Sequence, residues 1–378
     1  MPRARAVHRP PADGGRQPPR HPDHRRLYQR RRRRRRGRRR PAQPGQRQGR
    51  AALKYRRFGR TGLLVSEIAL GCGAQGGIVI DPDDETKRAA VKRALGLGIN
   101  WFDTAAQYGG GKSEEALGWL LKEVDEPPYL STKIMLGADH AGDFAGAVAR
   151  GVEGSLLRLD CGSVDLLQLH SHIEDMRAPR AVTADDVLRP GGVAEAMERA
   201  RDAGLCRFIG LSALGDPAET KKVIASGRFD SAQVYYNTIN PSAARAMPAA
   251  WRGFDSAGIV DACRTQDMAI LAVRVFAAGF LATRQRTGRE SILTADTDHE
   301  TEARMAEGAR AALGDAHGTL AEAAVRFALT GEYVSTAVIG PARIDHIEEA
   351  CAAAERGPLP DDALARLERL YETGPGAA

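Results

Sequence analysis

The chain has 378 residues, with 55 Lys+Arg against 48 Asp+Glu and a formal net charge of +7. The balance is uneven: residues 1–50 carry 19 arginines and two aspartates, while the other 328 carry 36 basic and 46 acidic side chains. An acidic body argues against sequence-independent nucleic-acid binding, which needs many Lys/Arg–phosphate contacts. No run reaches the roughly 18 uncharged apolar residues of a membrane span, and five scattered cysteines without a CxxC pair argue against a disulfide framework or a zinc site.

Taken in chain order, residues 1–52 form a basic tail. Its first 50 residues hold one Leu, one Val, no Ile or Phe and eight prolines, and the arginine run over 30–36 repels itself. Such a segment is expected to be disordered, because it cannot bury enough apolar area to offset its ordering entropy. Three readings stay open for it. It is a tether for nucleic acid or another anionic surface, a transit segment, which its lack of Ser and Thr disfavours, or sequence upstream of the true start. The N-terminus has no apolar segment of a secretory signal, and the thiols read as reduced core residues of a cytoplasmic protein.

The folded pattern runs over 53–374. Residues 53–65 (LKYRRFGRTGLLV) read as a β-hairpin turning at Gly59–Gly62. Eight short apolar runs follow, at 67–71, 100–104, 129–134, 164–170, 207–212, 231–236, 269–275 and 336–340. Amphipathic stretches alternate with them, for example from Asp84 through Val91 and Leu95 to Gly96, and over Val193, Met197 and Ala200 before Gly204. Near-continuous apolar strands suit a parallel sheet covered on both faces. Eight βα repeats point to a (β/α)8 TIM barrel, usually about 250 residues. The glycine-rich segment Gly71-Cys-Gly-Ala-Gln-Gly-Gly77 runs into Ile-Val-Ile-Asp rather than a helix, which argues against an open dinucleotide-binding sheet.

Polar residues at the carboxyl ends of barrel strands face the active site of such a fold. Asp103 ends the second strand, Tyr108 follows five residues later, Lys133 ends the third and His170 the fourth. Each alone has a bland reading, as a cap, a loop aromatic, a snorkelling lysine or a satisfied core histidine. Together they place four ionisable groups on three adjacent strand ends, and burying unpaired charge is costly.

This ordered set resembles the aldo-keto reductase family. The resemblance covers residues 53–372 and includes FDTA…Y, STK, DLLQLH, the GLS strand end at Gly210–Ser212, Gln233…Tyr236-Asn237, and IGPAR…EE at 339–349. It implies a barrel that binds a nicotinamide cofactor without a Rossmann fold, with Asp103, Tyr108, Lys133 and His170 as its catalytic tetrad. Ser212 and Gln233 match family contacts to the nicotinamide, although Ala213 stands where the family usually has Asn. The aromatic that normally stacks on the ring is missing near Val273, so Arg274, Phe276 and Gly279 become candidates for the pyrophosphate loop. Gly340, Arg343 and Glu349 match the adenosine-phosphate segment. Arg343, suited to a 2′-phosphate, tilts the choice to NADP over NAD. Gln75, Trp101, His172, Tyr236 and Asn240 are candidate pocket residues, and no metal is implied.

The residues also carry the chemistry. Reducing a carbonyl needs a hydride on carbon and a proton on oxygen. Free phenol is a poor acid near neutrality, and an adjacent Lys133 ammonium, oriented by Asp103, is expected to lower its pKa. Tyr108 then serves as general acid in reduction and general base in oxidation, while His170 polarises the substrate oxygen. The expected partner is a small carbonyl or alcohol, with a sugar among the options. Two alternatives remain: a Schiff-base lyase using Lys133, and a cofactor-binding regulatory module without turnover.

Overall fold

The computed structural model describes residues 53–291 and 297–374; the expectation of a disordered tail over 1–52 lies outside the described residues. The hairpin forms as expected. Strand β1 (Tyr55–Arg57) pairs antiparallel with β2 (Leu64–Ser66), Tyr55 opposite Ser66. Its turn is pressed against the barrel: a Cβ on Gly59, whose φ is +49°, would lie 2.3 Å from the Ala269 backbone nitrogen. Only glycine tolerates that approach and that φ together.

The chain continues through β3 (Ile68–Gly71), β4 (Trp101–Asp103), β5 (Tyr129–Ile134), β6 (Val164–Leu169), β7 (His172–Glu174), β8 (Ala181–Thr183), β9 (Cys206–Ala213), β10 (Ser231–Tyr235), β11 (Ala269–Val273) and β12 (Val334–Ile339). Eight of them close a parallel barrel in the order β10-β11-β12-β3-β4-β5-β6-β9. The eight apolar runs are these eight strands, with ends shifted by one or two residues. Strands β7 and β8 were not anticipated. They are three residues each and pair parallel, His172 with Ala181, and elements so short leave no periodic signal. Among the described residues no helix is long and apolar enough to cross a membrane.

Side chains alternate between the barrel interior and the helix layer, and this alternation overturns two expected pocket residues. Trp101 shares the inward face of β4 with Asp103, but one layer nearer the amino-terminal mouth. It is fully buried among Val65, Ala69, Leu166, Ala269 and Leu271 and stacks on Phe58 of the hairpin, ring centroids 4.4 Å apart. Trp101 therefore belongs to the barrel floor, where the large apolar ring is removed from water. Tyr236 follows Tyr235 and points the other way. It stacks on Phe327 in the helix layer at 5.3 Å and shares a 3.0 Å hydroxyl–hydroxyl bond with Tyr333. Tyr235 is the inward residue there.

Candidate active site

Three adjacent strand ends and one loop position the four candidate catalytic groups. Asp103 and Ser131 are paired in register across β4 and β5, and Lys133 and Gln168 across β5 and β6, so all four face inward at neighbouring heights. Tyr108 enters from the loop after β4. The three glycines that follow it have φ of 61°, 65° and 100°, a left-handed path that turns the chain directly into the helix Lys112–Leu120.

Lys133 is fully buried. Its Nζ donates to Asp103 Oδ2 at 2.5 Å, to the Thr104 carbonyl at 2.9 Å and to Tyr108 Oη at 3.1 Å. All three ammonium donors are thus engaged. Burial works against the charge, but Asp103 and Tyr108 outweigh it, and the Lys133 pKa lies above its ordinary value. For Tyr108 burial is the largest influence. The Lys133 ammonium pulls the phenol back and Asp103 pushes it up, leaving it above the ordinary tyrosine value. The expected lowering therefore does not hold in this structure, because desolvation exceeds the attraction of a cation already paired with Asp103.

His170 stands edge-on to Tyr108, ring centroids 6.0 Å apart, and its Nδ1 lies 3.1 Å from Ser212 Oγ. Burial, then Lys133 and Arg180, push its pKa down to about 3. It is a neutral imidazole at neutral pH. His172, half-buried nearby, also titrates below its usual range through burial and lies 3.6 Å from Glu174.

The expected cofactor residues divide into two groups. Ser212 and Gln233 sit inside the tetrad: Ser212 touches His170, and Gln233 Nε2 donates to Asp103 Oδ1 at 2.9 Å. The others lie on loops above the strand ends. Arg274 follows β11 with φ +59°; Phe276 is half-buried, and Ala277 and Ala278 also have positive φ, 46° and 56°, before Gly279 at 111°. Arg274 Nη1 and Gln75 Nε2, on different loops, both bond Ser291 Oγ, at 3.0 and 2.8 Å. Gly340 follows β12 and lies against Gly76, where a Cβ would lie 2.3 Å from the Gly340 carbonyl. Arg343 caps the helix Ile344–Glu355, exposed, with Nη2 2.8 Å from Asp345 Oδ2; Glu349 is exposed on the same helix. Asn240 is buried and bonds the Phe254 carbonyl.

Two residues at the site escaped the sequence reading. Ser131 Oγ (2.6 Å) and Gln168 Nε2 (3.1 Å) both donate to Asp103 Oδ1. A signal existed: each lies two residues before a tetrad member on its strand, hence on the same inward face.

The sequence model of the Aldo/keto reductase family matches residues 67–372. Among curated proteins, pyridoxal 4-dehydrogenase of Microbacterium luteolum is 27% identical over 82% of this chain and 95% of its own length. L-Galactose dehydrogenase of Arabidopsis thaliana is 30% identical over 43% of the chain; like others, it is matched over about half its length, 49%. Among solved structures, a Klebsiella pneumoniae aldo-keto reductase in complex with NADPH superposes with a TM-score of 0.59 at 23% identity, covering 85% of this chain and 96% of that one. The holo form of an aldo-keto reductase from Bacillus halodurans reaches 0.65, also at 23% identity, covering 85% and 97%. With a family match spanning residues 67–372, most of the chain, the protein belongs to the aldo/keto reductase family of oxidoreductases.

Proposed function

We propose that the protein interconverts an aldehyde or ketone and its alcohol with NADP(H), Tyr108 moving the proton. The carrying observation is the Asp103–Lys133–Tyr108 chain of hydrogen bonds beside a neutral His170. The residues present fit a dinucleotide. Three non-glycine residues of the 274–279 loop keep left-handed backbones, strain typical of ligand clamps. Arg274 binds Ser291 through its terminal nitrogens, and among the described residues its buried Nε has no hydrogen-bond partner. A helix amino-terminus bearing Arg343 suits a phosphate, and the Klebsiella relative was solved with NADPH. Asp345 competes for Arg343, so this phosphate contact is earned by displacing an ion pair.

When bound, the reduced nicotinamide supplies the hydride. The chain does the rest. Tyr108 Oη gives its proton to the carbonyl oxygen, and Lys133 stabilises the phenolate left behind. Asp103 keeps Lys133 charged. His170, neutral across physiological pH, hydrogen-bonds the substrate oxygen. The relatives named as dehydrogenases of L-galactose and of pyridoxal favour a polyhydroxylated or hydroxymethyl carbonyl compound as the substrate class. A Schiff-base role for Lys133 is disfavoured, since that chemistry needs a neutral amine and all three Nζ donors are taken.

The test is turnover of an aldehyde and sugar panel with NADPH and NADH, alongside borohydride trapping. Cofactor-dependent reduction without an adduct supports the reading. A borohydride-trapped Lys133 adduct without cofactor consumption overturns it.

A further inference from the structure

We infer that Ser131 and Gln168 are positioning residues which hold the Asp103 carboxylate aimed at Lys133. The inference rests on the reductase reading for its catalytic meaning and on geometry for its substance.

Asp103 is nearly fully buried. One oxygen, Oδ2, takes the Lys133 ammonium. The other, Oδ1, takes three neutral donors from three strands: Ser131 Oγ at 2.6 Å, Gln233 Nε2 at 2.9 Å and Gln168 Nε2 at 3.1 Å. Each of these groups presents an N–H or O–H to Oδ1, and a carboxylate oxygen accepts such bonds with both its lone pairs.

Two details show that the donors are directed. Trp101 Nε1 donates to Ser131 Oγ at 3.0 Å. An indole N–H only donates, so the Ser131 hydroxyl is an acceptor there. Its single proton goes to Asp103 at 2.6 Å rather than to the Phe102 carbonyl at 3.4 Å. The floor tryptophan thus sets the direction of a two-bond relay ending on Asp103.

Gln168 carries a cost. Among the described residues its Oε1 is buried with no hydrogen-bond partner, and an unpaired buried acceptor is unfavourable. Turning the amide over would set that oxygen against the carboxylate. The fold also makes room for this side chain: a Cβ on Gly210 would lie 3.3 Å from Gln168 Cγ and 2.3 Å from Ser231 Oγ. A branched apolar residue, the usual filling of a barrel interior, would avoid the orphaned oxygen. Its place is taken by a group whose one satisfied bond is to Asp103.

The titratable groups facing Asp103 are Lys133 on β5, Tyr108 after β4, Cys72 after β3 and, beyond Lys133, His170 after β6. Ser131 and Gln168 are not themselves titratable, so replacing them adds or removes no ionisable group.

The test uses Gln168→Leu and Ser131→Ala, with Ser131→Thr as the conservative replacement that keeps the hydroxyl. Two readouts are taken. The first is the kcat profile for reduction. Its acidic edge should move up by about one pH unit or more in Gln168→Leu and Ser131→Ala, one charge-assisted bond converted to pH, and stay near wild type in Ser131→Thr. The second needs no turnover: the thermal midpoint of the cofactor-free protein against pH. The gap between Gln168→Leu and wild type should widen as pH falls, because a carboxylate with fewer donors is less firmly held against Lys133, whose buried charge depends on it. A pH-independent gap and an unmoved kcat profile would reduce both residues to packing and overturn the inference. Should Gln168→Leu not fold, Ser131→Ala against Ser131→Thr decides it. A widening gap in a protein whose Tyr108→Phe form still turns over would sink the proton-transfer reading alone and leave the Asp103 shell standing.

Discussion

The two ends of the functional face are built on different principles. The proposed tetrad is multiply bonded: Lys133 is fully buried with three acceptors, and Asp103 receives four donors. The loop face expected to hold the dinucleotide is made of exposed, separable pairs, Arg343–Asp345 at 2.8 Å, Arg289–Asp81 at 2.6 Å and the shared Ser291 hydroxyl. Breaking a buried pair leaves an uncompensated charge, whereas exposed pairs contribute little and exchange readily. The reacting groups are therefore fixed before any ligand arrives, and the cofactor face is free to rearrange around one.

The comparison is broken most severely at Tyr108. Tyr108→Phe removes one hydroxyl and little volume, so the fold should survive. Turnover should fall by about 100-fold or more, the scale of general acid–base catalysis. In the oxidation direction the phenol must be ionised. Because burial holds it above the ordinary tyrosine value, wild-type oxidation without a change in that environment should keep rising past pH 10 rather than level off near neutrality. If Tyr108→Phe retains both the rate and that rise, the proton moves elsewhere.

His170 offers a test of dryness through stability. Its pKa is depressed to about 3, chiefly by burial, against an unfolded value of about 6.5. Between those values the unfolded chain binds the extra proton, so stability rises with pH there. The contribution is fully present above about 6.5 and is lost as pH falls toward 3. Thermal midpoints should drop over that window, and His170→Asn should flatten the drop. An equally steep loss in the variant would mean that His170 is not desolvated.

The same contrast explains what the sequence disclosed. Asp103, Lys133 and His170 stood out because a charged or ionisable residue closing an apolar run is conspicuous, and Tyr108 by its spacing of five from Asp103. The hairpin was legible through Gly59 and Gly62. Trp101 and Tyr236 were misplaced because a residue's height within the barrel, and the parity of its strand, follow from register, which the run of letters leaves open; Trp101 lies one layer too low and Tyr236 one residue out of phase. Ser131 and Gln168 went unnoticed because a Ser or Gln within a strand is unremarkable until a carboxylate is found opposite. The pairing of Arg343 with Asp345, two residues apart at a helix start, was readable in principle, but only the cap geometry shows that the side chains meet.

The smallest expected effects sit on the loop face. Arg343→Ala should weaken NADPH by about tenfold and leave NADH nearly unchanged, as expected for losing one charge-assisted phosphate contact. Equal losses for both cofactors would remove Arg343 from the 2′-phosphate. Asp345→Asn sharpens the point. In the protein without cofactor, Asp345 accepts from both Nε and Nη2 of Arg343, and it places a negative charge in the first helical turn, where a phosphate would otherwise have the helix amino-terminus to itself. Removing that charge frees Arg343 and lessens repulsion of the phosphate. Exposed pairs of this kind are weak and screened by salt, so the gain should be modest, about two- to fivefold in NADPH affinity at low salt, shrinking as salt is added. NADH, which lacks the 2′-phosphate, should respond less. A gain that is equal for both cofactors and indifferent to salt would mean that Asp345 acts on the fold of the helix start rather than on phosphate, and fluorescence titration of both cofactors at two ionic strengths separates the cases.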